Sequence, residues 1–182
     1  MSTFRFSETP ILKCKDHTVS GEFFELRADE EYELLATFPR PKEEELPAYY
    51  KSENYISHTD SKSSFLDKIY QRVKKYMLRK KIKWIESEKK EKGKILDFGA
   101  GTGDFLLEAK NNGWEVFGTE PNPDARKLAS EKKVDLEKDT STFPSEGFDV
   151  ITLWHVLEHV PDLEKQIEEL KRLLKKDGLL II

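Results

Sequence analysis

Lys94-Ile-Leu-Asp-Phe-Gly-Ala-Gly-Thr-Gly-Asp-Phe105 is an apolar run entering a glycine-rich turn and leaving as a helix. Strand, glycine turn and helix in that order form a common cradle for nucleotide-like ligands. The turn reads G-x-G-x-G. A dinucleotide site asks for G-x-G-x-x-G/A, and Asp104 stands where its last small residue belongs. No Lys-Ser or Lys-Thr follows, so the phosphate-loop pattern is also missing. An anionic Asp104 in the first helical turn is expected to repel a pyrophosphate seeking the same N–H groups.

Two carboxylates flank the turn. Asp97 precedes Gly99 by two residues, where it can meet a positively charged amino group. Glu120 ends the next apolar run, 21 residues after Gly99, where a carboxylate can accept bonds from both ribose hydroxyls. This combination predicts adenosine joined to an amino-acid-like tail.

From Lys94 onward the chain alternates strand and helix patterns. Trp114–Glu120, a weak segment at Val134–Glu137, Phe148–Trp154 and Leu179–Ile182 read as strands. Helices are expected after Gly103, after an Asn122 cap with Pro123 in the first turn, and over 161–176 with Gly178 as the stop. The fold class is therefore α/β: a Rossmann-like parallel sheet with helices on both faces, the final apolar run pairing in parallel with Phe148–Trp154. A terminal strand with nothing after it predicts cover from a partner or from further chain.

"LDFGAGTG", the acidic end of "VFGTE" and "FDVITLWHVLEHV", in that order, resemble the class I S-adenosylmethionine-dependent methyltransferases across roughly 94–182. The resemblance implies S-adenosylmethionine as cofactor, S-adenosylhomocysteine as product, and a methyl acceptor that is a small molecule. It implies cofactor contacts from Asp97, Gly99, Ala100, Gly101, Thr102 and Gly103. Glu120 would sit on the ribose, Pro121 and Asn122 near the adenine, and Leu153, Trp154 and His155 near the methionine tail. Asp139 is a candidate for the adenine amine. His155 is the candidate catalytic residue, either taking a proton from the acceptor or lining the pocket. The competing reading is a catalytically silent cofactor-binding or interaction module.

His155-Val-Leu-Glu-His159 also matches the H-x-x-E-H zinc peptidase pattern. That chemistry needs both histidines on one helix face, and Pro161 argues against such a helix, so no metal is expected.

Residues 1–60 read as an extension of short strands, 61–92 as a helical connector and 93–182 as the core. The extension resembles a zinc ribbon that has lost its ligands: only Cys14, with His17 nearby, stands where four ligands would be needed. Tyr50, Tyr55 and His58 are candidates to lie over the cofactor or substrate, as the family's aromatic segment can. The connector carries Phe65, Leu66, Ile69, Tyr70, Val73, Tyr76 and Met77 at helical spacing, expected to pack on the core; its basic opposite face reads as solvated in preference to a contact surface for an anionic partner.

The 182 residues carry a net charge of −4, which gives no general attraction to nucleic acid or membranes. One cysteine excludes an intrachain disulfide and fits a reducing cytoplasm. No apolar run approaches the length of a membrane span. Homo-oligomer formation is left open by these features.

Overall fold

The computed structural model describes residues 4–42, 45, 49 and 65–182. The chain divides into two compact units, 1–64 and 65–182. Tyr50, Tyr55 and His58 lie outside the described residues.

The first unit is an antiparallel meander of β1 (Leu12–Lys15), β2 (Phe23–Ala28) and β3 (Leu35–Phe38), in that order. Asp16 closes the first turn by accepting from the N–H groups of Thr18 and Ser20, both at 2.8 Å, which holds its carboxyl well below the usual range. Asp29 does the same at the second, accepting from Tyr32 N–H at 2.7 Å and from Arg5 N–H at 2.6 Å. Phe6 packs edge-on against Phe38. Cys14 is exposed. Among the described residues no three His, Cys, Asp or Glu side chains gather as a metal site.

The second unit begins with α1 (Phe65–Glu88) and continues through β4 (Lys94–Phe98), α2 (Asp104–Asn111), β5 (Glu115–Thr119), α3 (Pro123–Glu131), β6 (Phe148–Thr152), α4 (Leu163–Leu173) and β7 (Leu174–Ile181). Its sheet is parallel, in the order β5-β4-β6-β7. Alternate residues of each strand face opposite layers. Ile95, Val150 and Ile181 pack with Phe105 and Leu106 of α2, Ala129 of α3, and Ile82 and Ile85 of α1. Leu96 and Ile151 pack with Leu170 and Leu173 of α4. Helices thus cover both faces, as the alternation predicts. No described helix is long and apolar enough to cross a membrane.

Asn122 caps α3 by accepting from Asp124 N–H at 2.9 Å, and Pro123 occupies the first turn. Three expectations change. The strand at Val134–Glu137 reduces to a single bridge from Glu137 to Thr119. Helix α4 ends at Leu173 rather than running to Gly178. Leu174 already pairs with Phe148, and the register then shifts so that Leu179 meets Val150. Lys175, in that irregular stretch, is tied to Asp149 at 2.7 Å.

The third change concerns α1. Of the stripe expected to pack, Ile69, Tyr70, Val73, Tyr76 and Met77 are exposed, and the side chains of Phe65 and Leu66 lie outside the described residues. The packed face is the opposite one, carrying Leu78, Ile82 and Ile85. Helical spacing identifies apolar faces; it does not say which one the sheet will cover.

Ile85→Ala should therefore cost about 2–5 kcal/mol, because it empties a site that is 0% exposed. Val73→Ala, at 54% exposure, should stay within about 0.5 kcal/mol of the parent. Urea unfolding of the two variants checks the orientation of the helix; a larger loss for Val73→Ala than for Ile85→Ala would show it turned the other way.

Candidate functional site

The connection from β4 goes outward to β5 on one side, and the chain then returns to β6 on the other. The carboxyl ends of β4 and β6 therefore bound a switch point, where open α/β sheets bind ligands. Asp97 and Thr152 are register partners there. The Thr152 hydroxyl donates to Asp97 Oδ1 at 2.6 Å.

Asp97 is 3% exposed. Burial pushes its carboxyl up to about 7, against the stabilising pull of the Thr152 hydroxyl and of the Lys81 ammonium. Glu120 adds to the upward push. Lys81 reaches this region from α1. Burial lowers its own pKa while Asp97 opposes that shift. Its Nζ lies 3.8 Å from the centroid of the Trp154 ring, and Trp154 packs edge-on against Phe105. The Trp154 indole N–H is buried without a hydrogen-bond partner among the described residues.

Between β4 and α2, Gly99, Gly101 and Gly103 all adopt left-handed backbone, at φ 71°, 54° and 74°. A Cβ on Gly99 would lie 2.7 Å from a Val156 methyl. One on Gly103 would lie 3.0 Å from Ala129 Cβ and 3.2 Å from a Val134 methyl, so this glycine lets α3 and its following loop approach the turn. Around Gly101 a Cβ would meet nothing within 4 Å, so the turn opens to space at that point.

Glu120 clamps the same turn. Its Oε2 accepts from Gly101 N–H and its Oε1 from Asn122 N–H, both at 2.9 Å. A carboxylate has about four acceptor sites, so each oxygen keeps capacity for a ligand hydroxyl. The Asn122 side chain is engaged as the helix cap, while Arg126 donates to the Glu120 and Pro121 carbonyls at 2.7 and 2.8 Å.

Asp104 behaves differently from the expectation. It accepts from Lys74 Nζ at 2.6 Å and from Lys132 Nζ at 2.9 Å, which outweigh burial and keep its pKa low. Its charge is spent on two lysines, so repulsion of a pyrophosphate is not a sound reason to exclude dinucleotides. Thr102 joins this cluster, its hydroxyl donating to Asp104 at 3.0 Å. Lys74, Lys81 and Lys132 carry no local signature at the turn; sequence separations of 28 and 30 in the two Asp104 bonds hide them.

The candidates after β6 separate. The Leu153 side chain is 1% exposed and packs in the layer with α4. The His155 side chain is 91% exposed, with Nδ1 3.8 Å from Glu158 Oε1, on a residue with φ 58°. His159 ends a single 3₁₀ turn, Leu157–His159, so the two histidines do not share a helix face. Asp139 is exposed and accepts from Ser141 N–H at 3.0 Å, within its own loop. The structure thus gathers Asp97, Glu120 and the backbone of the glycine turn, adds Lys81 and Trp154, and leaves the imidazole of His155 in solvent.

An aspartate whose folded pKa is raised loses stability as pH climbs from its unfolded value, near 4, through about 7. Asp97→Asn keeps the size and an acceptor for Thr152. Its stability relative to the parent should be nearly equal at pH 4 and greater by up to about 4 kcal/mol at pH 8. Chemical denaturation across that range checks it; a difference independent of pH would show that Asp97 is not the titrating group.

A family model described as a methyltransferase domain matches residues 66–182. The uncharacterized methyltransferase YrrT of Bacillus subtilis is 38% identical over 78 residues, covering 40% of this chain and 37% of that protein. The ubiquinone biosynthesis O-methyltransferase of Actinobacillus pleuropneumoniae is 38% identical over 101 residues, covering 48% of this chain and 43% of that protein. The chain thus spans less than half the length of these curated relatives. The crystal structure of the PH0226 protein of Pyrococcus horikoshii superposes with a TM-score of 0.51 at 24% identity, over 58% of this chain and 53% of that one, a likeness of fold. The α/β unit that begins with α1 coincides with the matched residues, and the chain belongs to the methyltransferase domain family.

Proposed function

We propose that this chain binds S-adenosylmethionine and transfers its methyl group to a small-molecule acceptor. The observation that carries the proposal is the pairing of opposite charges at the strand ends: buried Asp97 and half-buried Lys81, beside a glycine turn clamped by Glu120. An amino-acid tail carries one ammonium and one carboxylate, so it complements Asp97 and Lys81 together. Lys81 has no carboxylate within ion-pair distance among the described residues, which leaves it able to receive one. Glu120 retains acceptor capacity for ribose hydroxyls. The unpartnered Trp154 N–H adds a donor that a ligand or water can satisfy.

The bound sulfonium supplies an activated methyl group. The protein's part is alignment and exclusion of water, which suffice for an in-line displacement. Asp97, ionised by the arriving ammonium, fixes one end of the tail, and Lys81 fixes the other. The His155 side chain is 91% exposed, so no enclosed setting holds it against an acceptor. We assign it a lining role. The acceptor's proton can pass to solvent when the acceptor is an amine or an acidic hydroxyl.

Calorimetry should detect S-adenosylmethionine and S-adenosylhomocysteine and no NAD. Glu120→Ala should weaken the former by about 1–3 kcal/mol. Binding of NAD at equal or greater strength would overturn the proposal. Lys81→Met should weaken S-adenosylmethionine about tenfold or more while leaving 5′-methylthioadenosine, which has no carboxylate, unchanged. Equal losses for both ligands would remove Lys81 from the tail.

Once an acceptor is in hand, His155→Ala should keep kcat within about tenfold of the parent, a smaller loss than the 10²–10⁴-fold typical of a lost base. A loss in that larger range would return the base role to His155.

A further inference from the structure

Helix α1 has two apolar faces, and the core takes only one. At about 100° per residue, Ile69, Tyr70, Val73, Tyr76, Met77 and Trp84 fall within an arc of about 120°, on the side away from Leu78, Ile82 and Ile85. All six are between 45% and 65% exposed. The stripe runs roughly 22 Å along the helix, from Ile69 to Trp84. Lys80 falls inside the arc, and its four-carbon stem can lie along the stripe with its charge outward.

The charge on this helix is one-signed between its acidic ends, Asp67 at the start and Glu86 and Glu88 at the close. From Lys68 to Ile85 there are eight Lys and Arg residues and no Asp or Glu, in a chain whose net charge is −4. Two of the eight, Lys74 and Lys81, are turned to Asp104 and to the Asp97 region. The other six are exposed. Lys68, Arg72, Lys75, Arg79 and Lys83 line one long edge of the apolar stripe. Arg79 has an acidic neighbour, Glu108 at 3.4 Å; no ion pair engages the other four among the described residues.

We infer that this face of α1 docks the protein on an anionic lipid surface. An apolar stripe needs an apolar counterpart, which a nucleic-acid backbone does not offer. A cationic edge needs an anionic one. Lipid headgroups over acyl chains supply both in the same layered order, and Tyr and Trp favour that boundary. The stripe is a single convex helix face, suited to lying in the plane of an interface. A surface-bound helix of this kind does not span the bilayer, so the absence of a spanning helix among the described residues is compatible with it. The inference rests on α1 alone, independently of what the glycine turn binds.

The test is co-sedimentation of the full chain with vesicles of phosphatidylcholine alone and of an equal mixture of phosphatidylcholine and phosphatidylglycerol. Binding to the mixed vesicles should exceed binding to the neutral ones about tenfold or more and should fall as salt is raised. The double variant Val73→Ser, Tyr76→Ser should lose about tenfold or more of that binding while its thermal unfolding stays close to the parent's, since neither residue is in the core. Lys68→Glu with Arg72→Glu should lose it too. Equal binding to both vesicle types, no binding to either, or undiminished binding by the serine variant overturns the inference. A dimer in sedimentation velocity that the serine variant abolishes, without vesicle binding, would assign the face to a second copy of the chain instead.

Discussion

A carboxylate shut away from water at the end of the central strand sets the terms for this site. Asp97 is placed by β4, one of the two inner strands, and is bonded to Thr152 on the other, β6. Burying an ionisable group is costly unless something answers its charge. The fold answers it in part, with one hydroxyl and a lysine whose own charge is also partly stripped of water. Neither group is fully compensated by the other. Under the proposed function, these two half-satisfied charges of opposite sign, on β4 and on α1, take the two ends of a zwitterionic tail. The glycine turn, tied to Glu120, continues from there toward β5.

Much of this was legible because the relevant signals are local. The strand-turn-strand carboxylates, Asp97 and Glu120, announce themselves by their distance from Gly99. The Asn122-Pro123 helix start is written in consecutive residues, and the buried run Phe148–Thr152 has no competing period. What escaped depends on residues far apart in the chain. Asp104 looked like an obstacle to phosphate because Lys74 and Lys132 are distant in sequence and adjacent only after α1, α2 and α3 have packed. Lys81 reads from the sequence as one more solvated lysine of α1, since helical spacing shows a charge's angle on the helix but not what lies opposite it.

The end of α4 shows a different limit. Leu170, Leu173 and Leu174 continue a helical period, and Gly178 looks like the stop, yet Leu174 is already paired to Phe148. The sheet claims the chain before the local pattern runs out, and the surplus residues are absorbed as an irregularity before Leu179. Helix α1 fails in the same manner: with two apolar faces available, shape fit against Ile95 and Phe105 selects Ile82 and Ile85, which no count of periodic matches could have chosen.

The clamp made by Glu120 also bears on how much disorder a ligand would have to remove. Three successive left-handed glycines make a turn that, left alone, would sample many shapes, because glycine is the least constrained residue. Here the N–H of the middle glycine and that of Asn122 are both tied to one side chain that is anchored at the end of a strand. The protein itself thus restrains the turn at two points. A ligand arriving at Glu120 would find its cradle already ordered, and the entropy of fixing that loop would have been met in folding instead of in binding.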